Sequence, residues 1–152
     1  LDKNDGVMRQ KPRNPNSPLL DRDSLYFIIF TGIIKAAAGG ALLVVLPLLG
    51  YGAAVIRTAV FLFESIAQLF FAYPARHLTV MPRFNLALHL AVGFGVVLQI
   101  LTVFVPFLRE LLGLTILDAQ ILLIVTGVIL ITWIIAEIYT RLAMRKSQAR
   151  SV

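Results

Sequence analysis

Read as apolar and polar positions, the chain divides into four long apolar blocks separated by short polar connections. The blocks cover about residues 24–47, 53–74, 84–106 and 117–140. Each exceeds the ~20 residues a helix needs to cross about 30 Å of hydrocarbon. Pro47, Pro74, Pro82 and Pro106 stand at block ends, where a helix has to stop or bend. Ahead of the first block, residues 1–23 carry Pro12, Pro15 and Pro18. Proline lacks an N–H and holds its predecessor extended, so this segment reads as a proline-rich arm. Asp23 and Ser24 are the expected helix caps at its end. The pattern predicts an all-α integral membrane protein, with four transmembrane helices in two antiparallel hairpins and a basic tail over 141–152.

The second block, Arg57 to Pro74, breaks the apolar pattern: it holds Glu64 and Gln68 near its middle. At a spacing of four they share one helix face, about one turn apart. An ionisable group at that depth is costly in lipid, and it is a functional-site candidate for that reason. Lys35 of the first block lies about 16 Å into its span, at about 1.5 Å per residue. Glu64 is comparably deep on a helix running back, so the two can meet near the midplane. Three readings stay open for them. They form a charge pair that fixes helix register, or Lys35 snorkels; Glu64 serves an ion pathway with Lys35 as its counter-cation; or each faces a different partner.

Composition strengthens the membrane reading. Of the 152 residues, 59% are hydrophobic and 14% charged, and the mean hydropathy is +0.86. A soluble domain carries about a quarter charged residues. The net charge of +6 is gathered at the ends and in one connection, so no basic stripe lies along a soluble face and nucleic acid is not an expected partner. Eleven Lys and Arg residues flank one side of the blocks and two, Arg57 and Arg109, the other. The positive-inside bias then places both termini and the 75–83 connection in the cytoplasm. The cell (inner) membrane is the expected location. The chain opens on Leu1 with a polar segment and no signal peptide, as a processed or excised piece would. Without cysteine, disulfides and thiolate metal sites are excluded.

The remaining polar residues read as structural. Gly32, Ala36 and Gly40 recur every four residues and favour close helix packing, as do Gly93 and Gly95. His89 is expected to bond a neighbour and Gln99 to bridge helices. Asp118 suits a helix start, and Glu137 with Arg141 forms an i, i+4 pair. Trp133 and Tyr139 are expected near the cytoplasmic interface. His77 and His89 have no metal-ligand spacing to carboxylates, and there is no phosphate loop or nucleophile triad.

Several stretches resemble the C-terminal region of P-type cation-transporting ATPases. MRQKPRNPNSPLL (Met8 to Leu20) is similar to the M-x-R-P-P-R-x-P-x-x-P-L-L run before the seventh membrane helix, with Lys11 in place of a proline. AQLFFA (67–72) resembles the A/S-Q-L-F-N-A of the eighth helix, with Phe71 replacing Asn. LQILTVFVPFLRELLGLTILDAQ (Leu98 to Gln120) looks like the join of the ninth and tenth helices, and IAEIYTR (Ile135 to Arg141) like the end of the tenth.

The resemblance implies the seventh to tenth helices of a ten-helix pump that forms an aspartyl-phosphate, with magnesium and ATP bound on cytoplasmic domains outside this chain. No cofactor and no catalysis are expected of this chain alone. Its expected partners are the pump's other helices and cytoplasmic domains, the bilayer and the transported cation, with calcium as the family example. In the calcium pumps an eighth-helix carboxylate donates to an ion site. Gln68 stands at that position and Glu64 one turn outward, so the tentative ion-binding pair is Gln68 and Glu64, and the tentative charge pair is Lys35 and Glu64. Two alternatives from other classes are a free-standing four-helix assembly or interaction protein and a small transporter working as a dimer.

Overall fold

A computed structural model describes residues 22–77 and 85–150, with side chains over 24–75 and 85–143. The proline-rich arm, the 78–84 connection with Pro82 and Arg83, the His77 side chain and the final two residues lie outside the described part. Six helices follow in order: α1 (Arg22–Leu48), α2 (Ala53–Phe70), α3 (Ala72–His77), α4 (Leu86–Phe104), α5 (Pro106–Leu111) and α6 (Ala119–Arg150). The described residues contain no strand. Four spans are long and apolar enough to cross a membrane: Ser24–Leu48, Ala53–Ala75, Leu86–Phe104 and Ala119–Ala143.

The helix ends follow from local chemistry. α1 is described from Arg22, and the side chain of Asp23, one of the two expected caps, lies outside the described part. It closes at Gly50, whose φ of 85° is open to a residue without Cβ; the Tyr51 N–H reaches the Leu46 carbonyl and the Gly50 N–H the Pro47 carbonyl. Pro74 acts earlier than the pattern suggests. Its ring crowds the carbonyl four residues back, so α2 breaks after Phe70 and Pro74 sits within the first turn of α3. Asn85 caps α4 by accepting from the Leu88 N–H at 3.2 Å, and Asp118 caps α6 by accepting from the Ile121 N–H at 2.8 Å. Pro106 holds Val105 extended, so α4 ends there and α5 begins with the proline. The last helix runs beyond the apolar block, because the residues after Thr140 are strong helix formers such as Leu142, Ala143, Met144 and Lys146.

The radial pattern is that of a molecule solvated by lipid. Leu48, Leu123, Phe107 and Leu111 are all 70% or more exposed, while Thr58, Thr132 and Thr140 are 3% exposed or less. So much apolar surface would drive a water-soluble chain to aggregate. The buried threonines satisfy their hydroxyls on their own helices, for example Thr140 Oγ1 on the Ala136 carbonyl at 2.8 Å.

α2 is the central post. It touches α1, α4 and α6, and a larger share of its span is buried than of any other. Phe63, Ala59 and Ala67 are essentially inaccessible and pack with Leu42 and Leu46 of α1 and Ile121 and Val125 of α6. Since hydrocarbon tails are as apolar as these side chains, close van der Waals fit rather than release from water holds the helices together. Gly95 shows the tolerance of that fit. A Cβ there would lie 2.9 Å from a Leu69 methyl. Among the described residues, Gly32 and Gly40 of α1 and Gly93 of α4 meet nothing within 4 Å, so the Gly32–Gly40 face of α1 packs against none of them.

Gly95→Ala is expected to cost about 1 kcal/mol, because Leu69 can turn aside, and Gly95→Leu about 3 kcal/mol. Denaturation of the chain in mixed micelles measures both, with Gly93→Ala as the near-neutral control.

Candidate functional site

The candidate site is assembled by α1 and α2 near the middle of both spans. Gly39, one turn on from Lys35, lets α1 lie close to Glu64 and Phe63 of α2. Glu64 and Gln68 share the α2 face it meets. The Lys35 ammonium lies 2.8 Å from Glu64 Oε2 and donates to Gln68 Oε1 at 2.9 Å and to the Glu64 backbone carbonyl at 3.4 Å. An ammonium has three donors, and here each has an oxygen. The structure thus brings together all three residues singled out in the sequence: Lys35, Glu64 and Gln68.

The second carboxylate oxygen is placed by a glycine. A Cβ on Gly39 would lie 2.9 Å from Glu64 Oε1, so the carboxylate occupies the space a side chain would take. The spacing of four had pointed to Gly32 and Gly40 as the packing glycines, and Gly39 beside them makes the contact instead. Only the helix rotation decides which of them meets α2.

A cavity of about 660 Å³ opens beside the cluster, lined by Phe27, Thr31, Gly32, Lys35, Glu64 and Gln68 among others. Side-chain exposure is 16% for Lys35 and 43% for Glu64, so the lysine is the more enclosed partner. The three Lys35 donors are matched by two side-chain oxygens and one backbone carbonyl. A calcium ion takes six to eight oxygens, far more than these residues supply. Among the described residues, no group of three or more His, Cys, Asp or Glu lies together.

The other polar residues are placed elsewhere. The Tyr73 hydroxyl and His89 Nδ1 are 3.1 Å apart and their rings stack. Arg141 Nε donates to Glu137 Oε1 at 2.8 Å. Tyr139 and Trp133, whose expected place near the interface concerns depth along the helix, each have a ring partner on another helix. Tyr139 stacks on Phe30 at 3.9 Å between centroids, and Trp133 meets Phe70 edge-on at 6.2 Å. Gln99 Oε1, expected to bridge helices, is buried with no hydrogen-bond partner. A contact that sequence reading missed lies at the opposite end of α2. Arg57 Nη2 donates to the Gly113 carbonyl, and Thr58 Oγ1 accepts from the Thr115 N–H at 2.9 Å. A basic residue one turn inside a block was the signal available.

A family model described as the C-terminus of cation-transporting ATPases matches residues 2–142. The chain belongs to that family. No curated protein and no solved structure matches it.

Replacing Lys35 by Met leaves Glu64 and Gln68 without their shared donor. The expected loss is about 2 kcal/mol, below the cost of breaking a fully buried pair because Glu64 is part-exposed. Lys35→Met/Glu64→Gln is expected to recover most of that loss. Double-mutant denaturation in micelles measures the coupling, and independent, additive effects would show that the two side chains do not interact.

Proposed function

We propose that this chain is the four-helix membrane domain that supports ATP-driven cation transport by a complete P-type pump. The family match over nearly its whole length carries the reading. Phosphorylation, ATP and magnesium belong to the pump's cytoplasmic domains, and this chain contributes packing surface. The open face at Gly32 and Ala36 beside the cavity supports that role. Small residues there leave room for the backbone of another membrane helix, supplied by the rest of the pump.

Within that role Gln68 and Glu64 edge the cation path. Gln68 offers a carbonyl oxygen and Glu64 a carboxylate oxygen, both suited to a hard cation. The chain is placed in the cell (inner) membrane as two antiparallel hairpins with both termini cytoplasmic. Residue order supports the pairing of α1 with α2: Phe27 shares a cavity wall with Phe71, while Lys35 reaches Glu64 further back along α2. The Lys and Arg imbalance across the connections supports the orientation.

Orientation is testable because the chain has no native cysteine. An impermeant maleimide is expected to label Leu49→Cys and Leu112→Cys from outside intact cells, and Ser147→Cys only after permeabilisation; the reverse pattern overturns the orientation.

Function is tested by incubating the chain with labelled ATP and magnesium, alone and within the complete pump. Alone it is expected to form no phosphoenzyme. In the complete pump, removing residues 24–143 is expected to abolish ATP-driven cation uptake; uptake that survives the deletion overturns the supporting role.

A further inference from the structure

We propose that a groove between α2, α4 and α6 binds one acyl chain of a membrane phospholipid. Among the described residues, α4 and α6 both pack on α2, and neither packs broadly on the other. The gap between them, below the connection from α5 to α6, is a cavity of about 160 Å³. Its floor includes Leu62 of α2, Val103 of α4 and Val125 of α6, each 5% exposed or less and part of the apolar core. Its rim includes Phe104, Ile116 and Leu122, each 42% exposed or more. The groove therefore opens sideways, onto the surface that lipid surrounds, and continues the core outward to it.

Shape and chemistry select the occupant. The lining runs in stripes along the helices, with Leu62 and Ile66 on one, Ile100 and Phe104 on the next, and Leu122 and Ile129 on the third. From Leu122 to Ile129 the groove extends about 10 Å, at about 1.5 Å per residue. Spread over that length, about 160 Å³ leaves a section of about 16 Å², wide enough for one hydrocarbon chain and too narrow for a helix about 10 Å across. Its long axis follows the spans, as the surrounding lipid chains do. Among the described lining residues Thr126 alone has a polar side chain, and one hydroxyl is fewer than the two to four partners a buried water needs. Left empty, the walls would forfeit their dispersion contacts. A hydrocarbon chain restores them and joins α4 to α6.

This groove is separate from the charged cluster. Leu62 and Ile66 each stand two residues from Glu64, about 200° round α2, so they face away from Lys35. The Gly32 and Ala36 face offered to other helices lies on the Lys35 side. The inference does not depend on pumping, and its test reads lipid contact and not transport.

The full 152-residue chain is placed in phosphatidylcholine vesicles doped with phosphatidylcholine that carries a diazirine on its acyl chain. After illumination, mass spectrometry locates the adducts. They are expected on the groove floor, at Val103, Val125 and Ile129, as well as on open residues such as Leu123, with none on the equally buried Phe63 and Ile121. Thr126→Phe and Ile100→Phe each set a ring into the groove from an exposed position. Both are expected to lose the floor adducts and keep those at Leu123. A floor without adducts in the wild type overturns the proposal, as do floor adducts that both variants retain. A floor that takes a free aryl diazirine but not the lipid-borne one is a site for a small apolar molecule and also overturns it. Two further outcomes do the same. Floor adducts that appear only on high dilution in lipid mean that a second copy fills the groove, and floor adducts lost within the complete pump mean that a pump helix does.

Discussion

A polar group inside these four spans is costly to leave unpaired, because hydrocarbon offers it no partner. That constraint works alongside the apolar packing of the helices. Buried threonine hydroxyls fold back on their own helix carbonyls, and Asn85 and Asp118 close the N-terminal ends of two helices. The Lys35 ammonium is the hardest case, with a full charge and three donors near mid-span. Its resolution on Glu64 and Gln68 ties α1 to α2 at one register and one rotation. The position of the cavity follows from that rotation, since the same turn leaves Gly32 and Ala36 on the open side.

The fold was legible because the signal is long and redundant. Blocks of about twenty apolar residues cannot be mistaken for soluble helices, and the observed spans start and stop within a few residues of the expected ones. The departures have local causes. Pro74 breaks its helix by crowding the carbonyl of Phe70, a turn before its own position, so a proline read as a terminus became an interior kink.

The site was legible in part. Charge inside a span drew notice to Lys35 and Glu64, and the spacing of four added Gln68. Gly39 was not legible, because the spacing of four drew attention to Gly32 and Gly40, and only the rotation of α1 against α2 brings Gly39 to Glu64. Nor was the contact of Arg57 with Gly113, which joins residues more than fifty positions apart. A backbone carbonyl as the acceptor leaves no mark in the side-chain pattern.

That second contact has a mechanical meaning. Arg57 and Thr58 hold the segment between α5 and α6 by its backbone, at Gly113 and Thr115. Gly113 has a φ of 62° and a Cβ there would lie 2.9 Å from the guanidinium, so the grip admits little slack. The second turn of α2 and the α5–α6 strap are thus joined by two hydrogen bonds. A displacement of α2 along its axis pulls on the strap, and through it on the end of α5 and the start of α6.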